Sequence, residues 1–412
     1  MALLLVLFRP RQLSEAIPAL AGAALFVLVG AVSPRHAGQA LLSHWNLFLF
    51  FLGLMTIAAV ADTAGVFDWL AQKAALLSRG SRRRLLLNVF VLGTVMTAFL
   101  SNDATTLILT PIVFTLATRF GLPPRPYVFS CAFVANTASF LLPVSNPINV
   151  LLLDRFPIPL SSYFVHLLPV SVLAIAINLV VFLILFRREV RGNFRLARMD
   201  DVAAGKARPI FFRLVCAWLL ATAGIYVLAA ARQWPVGLVA AMSGTGLIAA
   251  AWLAGTLSWH NLAKEISWSL FGFVAGMLIL VQGLEDAGIT KALARLLELG
   301  GHSASGVAIA SVATAAVGAN VINNLPASLV LESAIGHTGA GSQTTLLAFG
   351  TLVGADLGPN LTVVGSLSTM LWLLILRRRD LEVSALEYLR VGAMVTPIML
   401  LCSAAVLWLT SR

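Results

Sequence analysis

The feature that most constrains this chain is a succession of apolar runs at residues 17–32, 47–64, 85–118, 127–153, 167–186, 211–229, 236–257, 269–284, 306–334, 344–376 and 391–409. Most are close to the roughly 20 residues a helix needs to cross ~30 Å of hydrocarbon. They are not the short alternating segments of a transmembrane β-barrel. Hydrophobic residues make up 59% of the 412 positions and charged ones 11%, against about 45–50% and about 25% in soluble domains. A globular cytoplasmic enzyme, a disordered chain and a disulfide scaffold are excluded. The expected fold is an all-α polytopic membrane protein.

Cys131, Cys216 and Cys402 are too scattered for a disulfide framework or a metal site. The net charge of +11 would suggest nucleic acid in a soluble protein, but cytoplasmic loops of membrane proteins collect Arg and Lys, so no nucleic-acid partner is expected. Residues 1–8 are apolar ahead of Arg9 and Arg11, with no basic start and no small-residue cleavage site. No removable signal peptide is expected.

Basic clusters set the orientation. Lys73, Arg79, Arg82, Arg83 and Arg84 form one, Arg187, Arg188, Arg191, Arg195, Arg198, Lys206 and Arg208 a second, and Arg377, Arg378 and Arg379 a third. All three should face the cytoplasm. Three apolar runs separate the first cluster from the second, so one run must enter and leave on the same side. Run 85–118 is long enough, is flanked by Arg84 and Arg119, and carries Ser101-Asn102-Asp103 at its middle. It reads as a re-entrant helical hairpin, whose tip is tolerated only inside protein or a wet cavity.

The second half echoes the first. Trp45 and Trp268, Gly53 and Gly276, Asp62 and Glu285, and Gly65 and Gly288 each lie 223 residues apart. Ser101-Asn102 corresponds to Asn323-Asn324 at 222, and Asn136, Asn146 and Asn149 to Asp356, Ser366 and Thr369 at 220. The ordered set reads as an internal duplication. Counting crossings makes the repeats inverted, each with a re-entrant hairpin and a broken transmembrane helix. The expected divisions are residues 1–44, an N-terminal helix and loop; 45–187, the first repeat; 188–265, a cytoplasmic linker and two connecting helices; and 266–412, the second repeat. The N-terminus is expected in the cytoplasm and the C-terminus in the periplasm. Inverted repeats with discontinuous helices are the architecture of secondary transporters.

Four polar patches fall at the expected depth: Ser101, Asn102, Asp103 and Thr105; Asn136, Thr137, Ser139, Ser145, Asn146 and Asn149; Asn320, Asn323 and Asn324; and Asp356, Gly358, Asn360, Gly365, Ser366 and Thr369. Pro143, Pro147 and Pro359 keep these helices broken because proline cannot donate to the helical ladder. Broken helices expose backbone groups, and amides and hydroxyls add donors and acceptors without net charge. Such a site suits a small polyhydroxylated solute or an oxyanion. A lone polar residue in a membrane helix is ordinarily interhelical glue, which is the reading for Asn88 and Asn178. Asp103 and Asp356 are the deepest acids. A mid-bilayer carboxylate costs roughly 2.5–3.5 kcal/mol on insertion scales, so both are candidates for proton coupling. Asp62 and Glu285, near span ends, are weaker proton-path candidates. The six histidines have no metal-ligand spacing, and no lysine follows a Walker-type glycine-rich stretch. No metal, cofactor or enzymatic activity is expected.

With these stretches on the page, the sequence resembles the ion transporter superfamily and, within it, the arsenite efflux permeases (ArsB type). The resemblance is carried by Ser101-Asn102-Asp103-Ala104, Ala135-Asn136-Thr137-Ala138-Ser139, Val144-Ser145-Asn146 with Asn149, Asn323-Asn324-Leu325-Pro326, and Asp356-Leu357-Gly358-Pro359-Asn360 through Gly365-Ser366-Leu367 to Leu371-Trp372-Leu373. It implies export of arsenite and antimonite across a bacterial inner membrane by a multi-pass secondary carrier, in exchange for protons. It also implies a soluble arsenical pump ATPase as a partner of some members. Asn136 stands where the family pattern has an Asp; Pro147 and Ser101 also depart from it. The rival reading within the superfamily is a sodium/proton antiporter or an oxyanion or carboxylate symporter.

Overall fold

The computed structural model describes residues 14–195, 209–298, 303–339 and 341–411. Arg198, Lys206 and Arg208 of the second basic cluster, and the stretch read for a signal peptide, lie outside them. Every apolar run becomes helical. Runs 17–32 and 47–64 are α1 (Ala16–Leu28) and α3 (Trp45–Thr63), with α2 (Pro34–Ser43) between them. Run 85–118 is a pair, α5 (Arg82–Leu100) and α6 (Asn102–Arg119). Run 127–153 splits into α7 (Arg125–Thr137) and α8 (Pro147–Arg155), and a continuous α9 (Leu160–Leu185) follows. The connecting pair is α10 (Pro209–Ala231) and α11 (Val236–Leu253).

The second half follows the same order. It runs α13 (Trp268–Asp286), the pair α15 (Ala304–Ile322) and α16 (Asn324–Gly336), the split α17 (Thr344–Leu357) and α18 (Leu367–Arg377), and the long α19 (Ala385–Thr410). Among the described residues, eight helices are long and apolar enough to cross a membrane. Short helices that the hydrophobic pattern did not announce fill the junctions: α2, α4 (Val66–Leu77), α12 (Trp259–Glu265) and α14 (Ile289–Glu298). Each is too short to appear as an apolar run.

Local geometry repeats at the paired positions. Gly65 (φ 77°) and Gly288 (φ 75°) end α3 and α13 in the left-handed region. Their N–H groups donate to Asp62 and Glu285 carbonyls at 2.8 Å each, the C-terminal turn for which glycine is favoured. Gly53 and Gly276 both admit a neighbouring backbone. A Cβ on Gly53 would sit 2.2 Å from the Ala240 carbonyl carbon of α11, and one on Gly276 2.6 Å from that of Ala19 in α1. Small residues permit such close approach where lipid supplies no hydrophobic drive.

Run 85–118 leaves and regains one face of the molecule. Phe194 N–H donates to Gly80 O at 2.7 Å, and Arg82 N–H to Gly192 O at 3.3 Å. The two basic loops therefore lie side by side. Tyr127 O–H donates to Arg82 O at 3.2 Å, so the α5–α6 pair returns to the face it left. Asn88 ties α5 to the Ala74 carbonyl of α4 at 2.7 Å, the interhelical glue expected of it. The two halves lock through aromatic packing of Phe129 and Phe133 against Trp372 and Tyr388. The Trp372 indole N–H donates to Val128 O at 2.9 Å.

Candidate functional site

Two helix breaks meet at the centre. In the first, α7 ends at Thr137 and α8 begins at Pro147, where a missing N–H is no loss. Asn146 caps α8 by accepting from Ile148 N–H at 3.1 Å. Asn149 holds the break shut by donating to the Ser139 and Leu142 carbonyls at 2.8 and 3.1 Å. In the second, α17 passes through the short turns Gly358–Asn360 and Val363–Gly365 into α18. Gly358 and Gly365 are required by packing. A Cβ on Gly358 would lie 2.8 Å from Ala316 Cα, and one on Gly365 2.7 Å from Pro359 Cα.

The breaks interlock reciprocally. Asn146 of the first half donates to Asp356 Oδ1 of the second at 2.6 Å. Asn136 of the first half donates to Asn360 Oδ1 and Thr369 Oγ1 of the second, both at 3.3 Å. Ser368 donates to Asn136 Oδ1 at 3.4 Å and shares a 2.6 Å contact with Ser366. Asn360 donates to Thr137 Oγ1 at 3.1 Å. These residues are all buried. The residue paired by register with Asn136 is Asp356, so each half presents its equivalent side chain to the other's break.

The hairpin tips attach to this centre from two directions. Ser145 O–H donates to Ala98 O near the first tip at 3.1 Å. At the second tip, Asn320 donates to Gly358 O at 2.9 Å and accepts from Thr362 O–H at 2.6 Å, while Asn323 donates to Val364 O at 3.1 Å. Both tips turn on a non-glycine residue with positive φ: Ser101 (φ 108°, ψ 162°) and Asn323 (φ 77°, ψ 152°). That region is essentially reserved for glycine and costs about 1–3 kcal/mol. Each tip residue also caps its outgoing helix, Ser101 accepting from Ala104 N–H at 3.3 Å and Asn323 from Leu325 N–H at 3.4 Å.

Not every expected residue joins the central network. Asn102 and Asn324 bond the N–H of their own neighbours, Asp103 and Leu325. Thr105 bonds Ser101 O and Thr97 within the first hairpin. Asp103 stands elsewhere: with Ser101, Asp62 and Glu265 it lines a cavity of about 70 Å³ beside α6. Asn178 is interhelical glue as expected, tying α9 to α7 by donating to Thr137 Oγ1 at 2.8 Å, and it thereby also supports the site. It is the one side-chain amide of the 26-residue α9. Thr362 belongs to the network too, and so does Ser368, which sits in the same polar stretch as Ser366 and Thr369.

Asp356 is the one acid among the side chains bonded across the two breaks. Asn146 satisfies one of its oxygens, while Oδ2 is buried with no hydrogen-bond partner among the described residues. A buried, unpaired carboxylate oxygen is costly unless something binds it. It can take a proton, a cation or a solute hydroxyl. The rest of the network is amide and hydroxyl, with no Lys, Arg or His among the partners named above. Among the described residues, no group of three or more His, Cys, Asp or Glu is placed to hold a metal ion.

Comparison with known proteins gives three findings. A family profile described as citrate transporter (CitMHS) matches residues 3–354. The arsenical pump membrane protein of Yersinia enterocolitica is 30% identical, and that of Escherichia coli K12 29%; each match spans 98% of this chain and 96% of the relative. Among solved structures, the YdaH transporter of Alcanivorax borkumensis superposes with a TM-score of 0.60 at 15% identity, covering 87% of this chain and 84% of that one. It shares the fold.

Proposed function

This chain belongs to the CitMHS (citrate transporter) family, where it stands with the arsenical pump membrane proteins, and from that premise we propose that it exports arsenite and antimonite across a bacterial inner membrane by proton antiport. In this reading the halves 45–187 and 266–412 are oppositely oriented, the basic loops face the cytoplasm, and the solute is held where the two breaks interlock.

The observation that carries the proposal is the chemistry of that centre. Citrate is a trianion and calls for cationic partners. The residues joined across the breaks are Asn, Thr and Ser with a single carboxylate. Arsenous acid is a small, mostly neutral trihydroxide near neutral pH, and amides and hydroxyls match its donors and acceptors. A carboxylate solute would meet Asp356 as a like charge. Asp356 Oδ2 takes a proton in one half of the cycle and meets a solute hydroxyl in the other, so outward arsenite and inward proton exclude each other at one atom.

The test is arsenite counterflow in proteoliposomes, with and without an imposed pH gradient, beside a parallel citrate arm. The expected result is arsenite exchange accelerated by a gradient directed inward, with no citrate exchange. Asp356→Asn is expected to abolish the acceleration. Citrate exchange without arsenite exchange would overturn the solute, and an unchanged gradient response in Asp356→Asn would overturn the proton role.

A further inference from the structure

A second cluster of ionisable groups lies away from the interlocked breaks. At the end of α3 opposite Asp62, a cavity of about 320 Å³ is bounded by the α2–α3 junction, the end of α8, the end of α13 and the hairpin helix α16. Glu332, on α16, is 7% exposed and is addressed from two sides. His44 Nε2 lies 3.6 Å from one carboxylate oxygen and Arg155 Nε 3.8 Å from the other. Beyond the end of α16, His337 Nε2 lies 3.5 Å from Glu285 Oε1, and Ser333 donates to the other Glu285 oxygen at 3.1 Å. Asp154 accepts from the Asn46 amide at 2.5 Å.

Two features single out His44. The cavity holds three carboxylates, Asp154, Glu285 and Glu332, against one guanidinium, Arg155, and the charges balance only when both histidines carry protons. The His44 tautomer is also constrained. Its Nδ1 lies 2.8 Å from Ala40 O, a carbonyl that can only accept, so Nδ1 keeps its hydrogen. Nε2, facing Glu332, is the atom that gains or loses a proton. When it is bare, its lone pair opposes a carboxylate.

We propose that this cavity is a proton-accepting vestibule in which His44 Nε2 binds the proton and Glu332 transmits its charge to the hairpin helix α16. In the protonated state, His44 and Arg155 clamp α16 to the α2–α3 junction and to α8. In the neutral state, one side of the clamp is lost and α16 is free to move against α13. That the proton is the one exchanged for solute rests on the carrier reading above; the clamp itself does not.

The pH sense follows from the surroundings. Burial alone would lower the His44 pKa, but Glu332, with help from the Ala40 carbonyl and Asp154, holds it above the ordinary histidine value. The clamp is therefore complete below that raised pKa and is lost as pH rises through it. The other charged groups facing this space are Glu285, His337 and Arg155, from α13, the end of α16 and α8.

The experiment uses the full chain in lipid nanodiscs, with Cys216 and Cys402 changed to Ser and the buried Cys131 retained. Leu329→Cys places a thiol on α16 at a buried position lining the cavity. Its maleimide labelling rate is measured from pH 5 to 9, each rate divided by that of free cysteine at the same pH. The expected result is a several-fold rise with pH that disappears in His44→Gln and survives in His337→Gln. Glu332→Gln is expected to label fast at every pH and serves as the second variant if His44→Gln is unstable. A flat profile in the parent, or the same rise in His44→Gln, overturns the vestibule. Arsenite counterflow is recorded on the same preparations. Labelling that follows His44 without counterflow leaves the vestibule standing and removes the carrier reading, whereas counterflow with flat labelling does the reverse.

Discussion

The flanks of the two hairpins make an instructive pair. Beside α6 lies a cavity of about 70 Å³ whose ionisable lining is Asp62, Asp103 and Glu265. Beside α16 lies one of about 320 Å³ where Asp154, Glu285 and Glu332 face His44, His337 and Arg155. The frame is the same on both sides: a glycine-ended helix with an acid in its last turn, facing a hairpin whose tip turns on a positive-φ residue. The charges and the space differ. On this common scaffold one flank is small and acidic and the other roomy with both signs of charge.

The largest expected effect tests the shared frame. Gly53→Val and Gly276→Val each drive a side chain into a neighbouring backbone, of α11 or of α1. Such overpacking costs about 1–3 kcal/mol, and more where backbone must yield. Thermal melts should show both variants destabilised, Gly53→Val the more so because its clash is the closer. If only one half responded, the two helix pairs would not be equivalent supports.

Next comes the difference between the flanks. Glu332→Gln removes the carboxylate shared by His44 and Arg155. We expect it to slow proton-driven arsenite counterflow by about tenfold, or ~1.4 kcal/mol, and to flatten its pH profile. Asp103→Asn, on the other flank, should leave the histidine limb of that profile in place. Identical profiles for the two variants would erase the distinction drawn here.

The smallest effect concerns the tips. Ser101→Gly relieves a backbone strain of about 1–3 kcal/mol at the loss of a cap worth a few tenths relative to glycine. A net gain near 1 kcal/mol should raise the melting temperature. Asn323→Gly should gain less, because it also forfeits the bond to Val364 O. A loss of stability at both tips would mean that the side chains outweigh the strain.

Much of this was legible residue by residue. The apolar run lengths announced the spans, Ser101-Asn102 and Asn323-Asn324 marked the turns of the hairpins, and the 223-to-220 register foretold which side chains play equivalent parts at the breaks. Asn88 behaved as a lone amide in a helix is expected to. The junction helices α2, α4, α12 and α14 escaped notice because their apolar faces span only two or three turns. Asn178 behaves as Asn88 does, and only the fold shows that the residue it holds, Thr137, lies 41 positions away at the edge of the first break. Of the vestibule only Glu285 was marked, as a proton-path candidate; its histidines looked solitary, since His44 and Glu332 are 288 positions apart.

Membrane insertion responds to hydrophobic length and charge bias along a continuous stretch, and helix ends respond to the few residues that cap them. Both are local properties, so the order of amino acids settles the spans and the breaks. Which amide or imidazole meets which carboxylate, across 210 or 288 positions, depends on how helices pack in three dimensions. Close approach at Gly53 and Gly276, and the clamp on α16, come into being only when separate elements are brought together, because hydrogen bonds and ion pairs are felt over a few ångströms of space and take no account of distance along the chain.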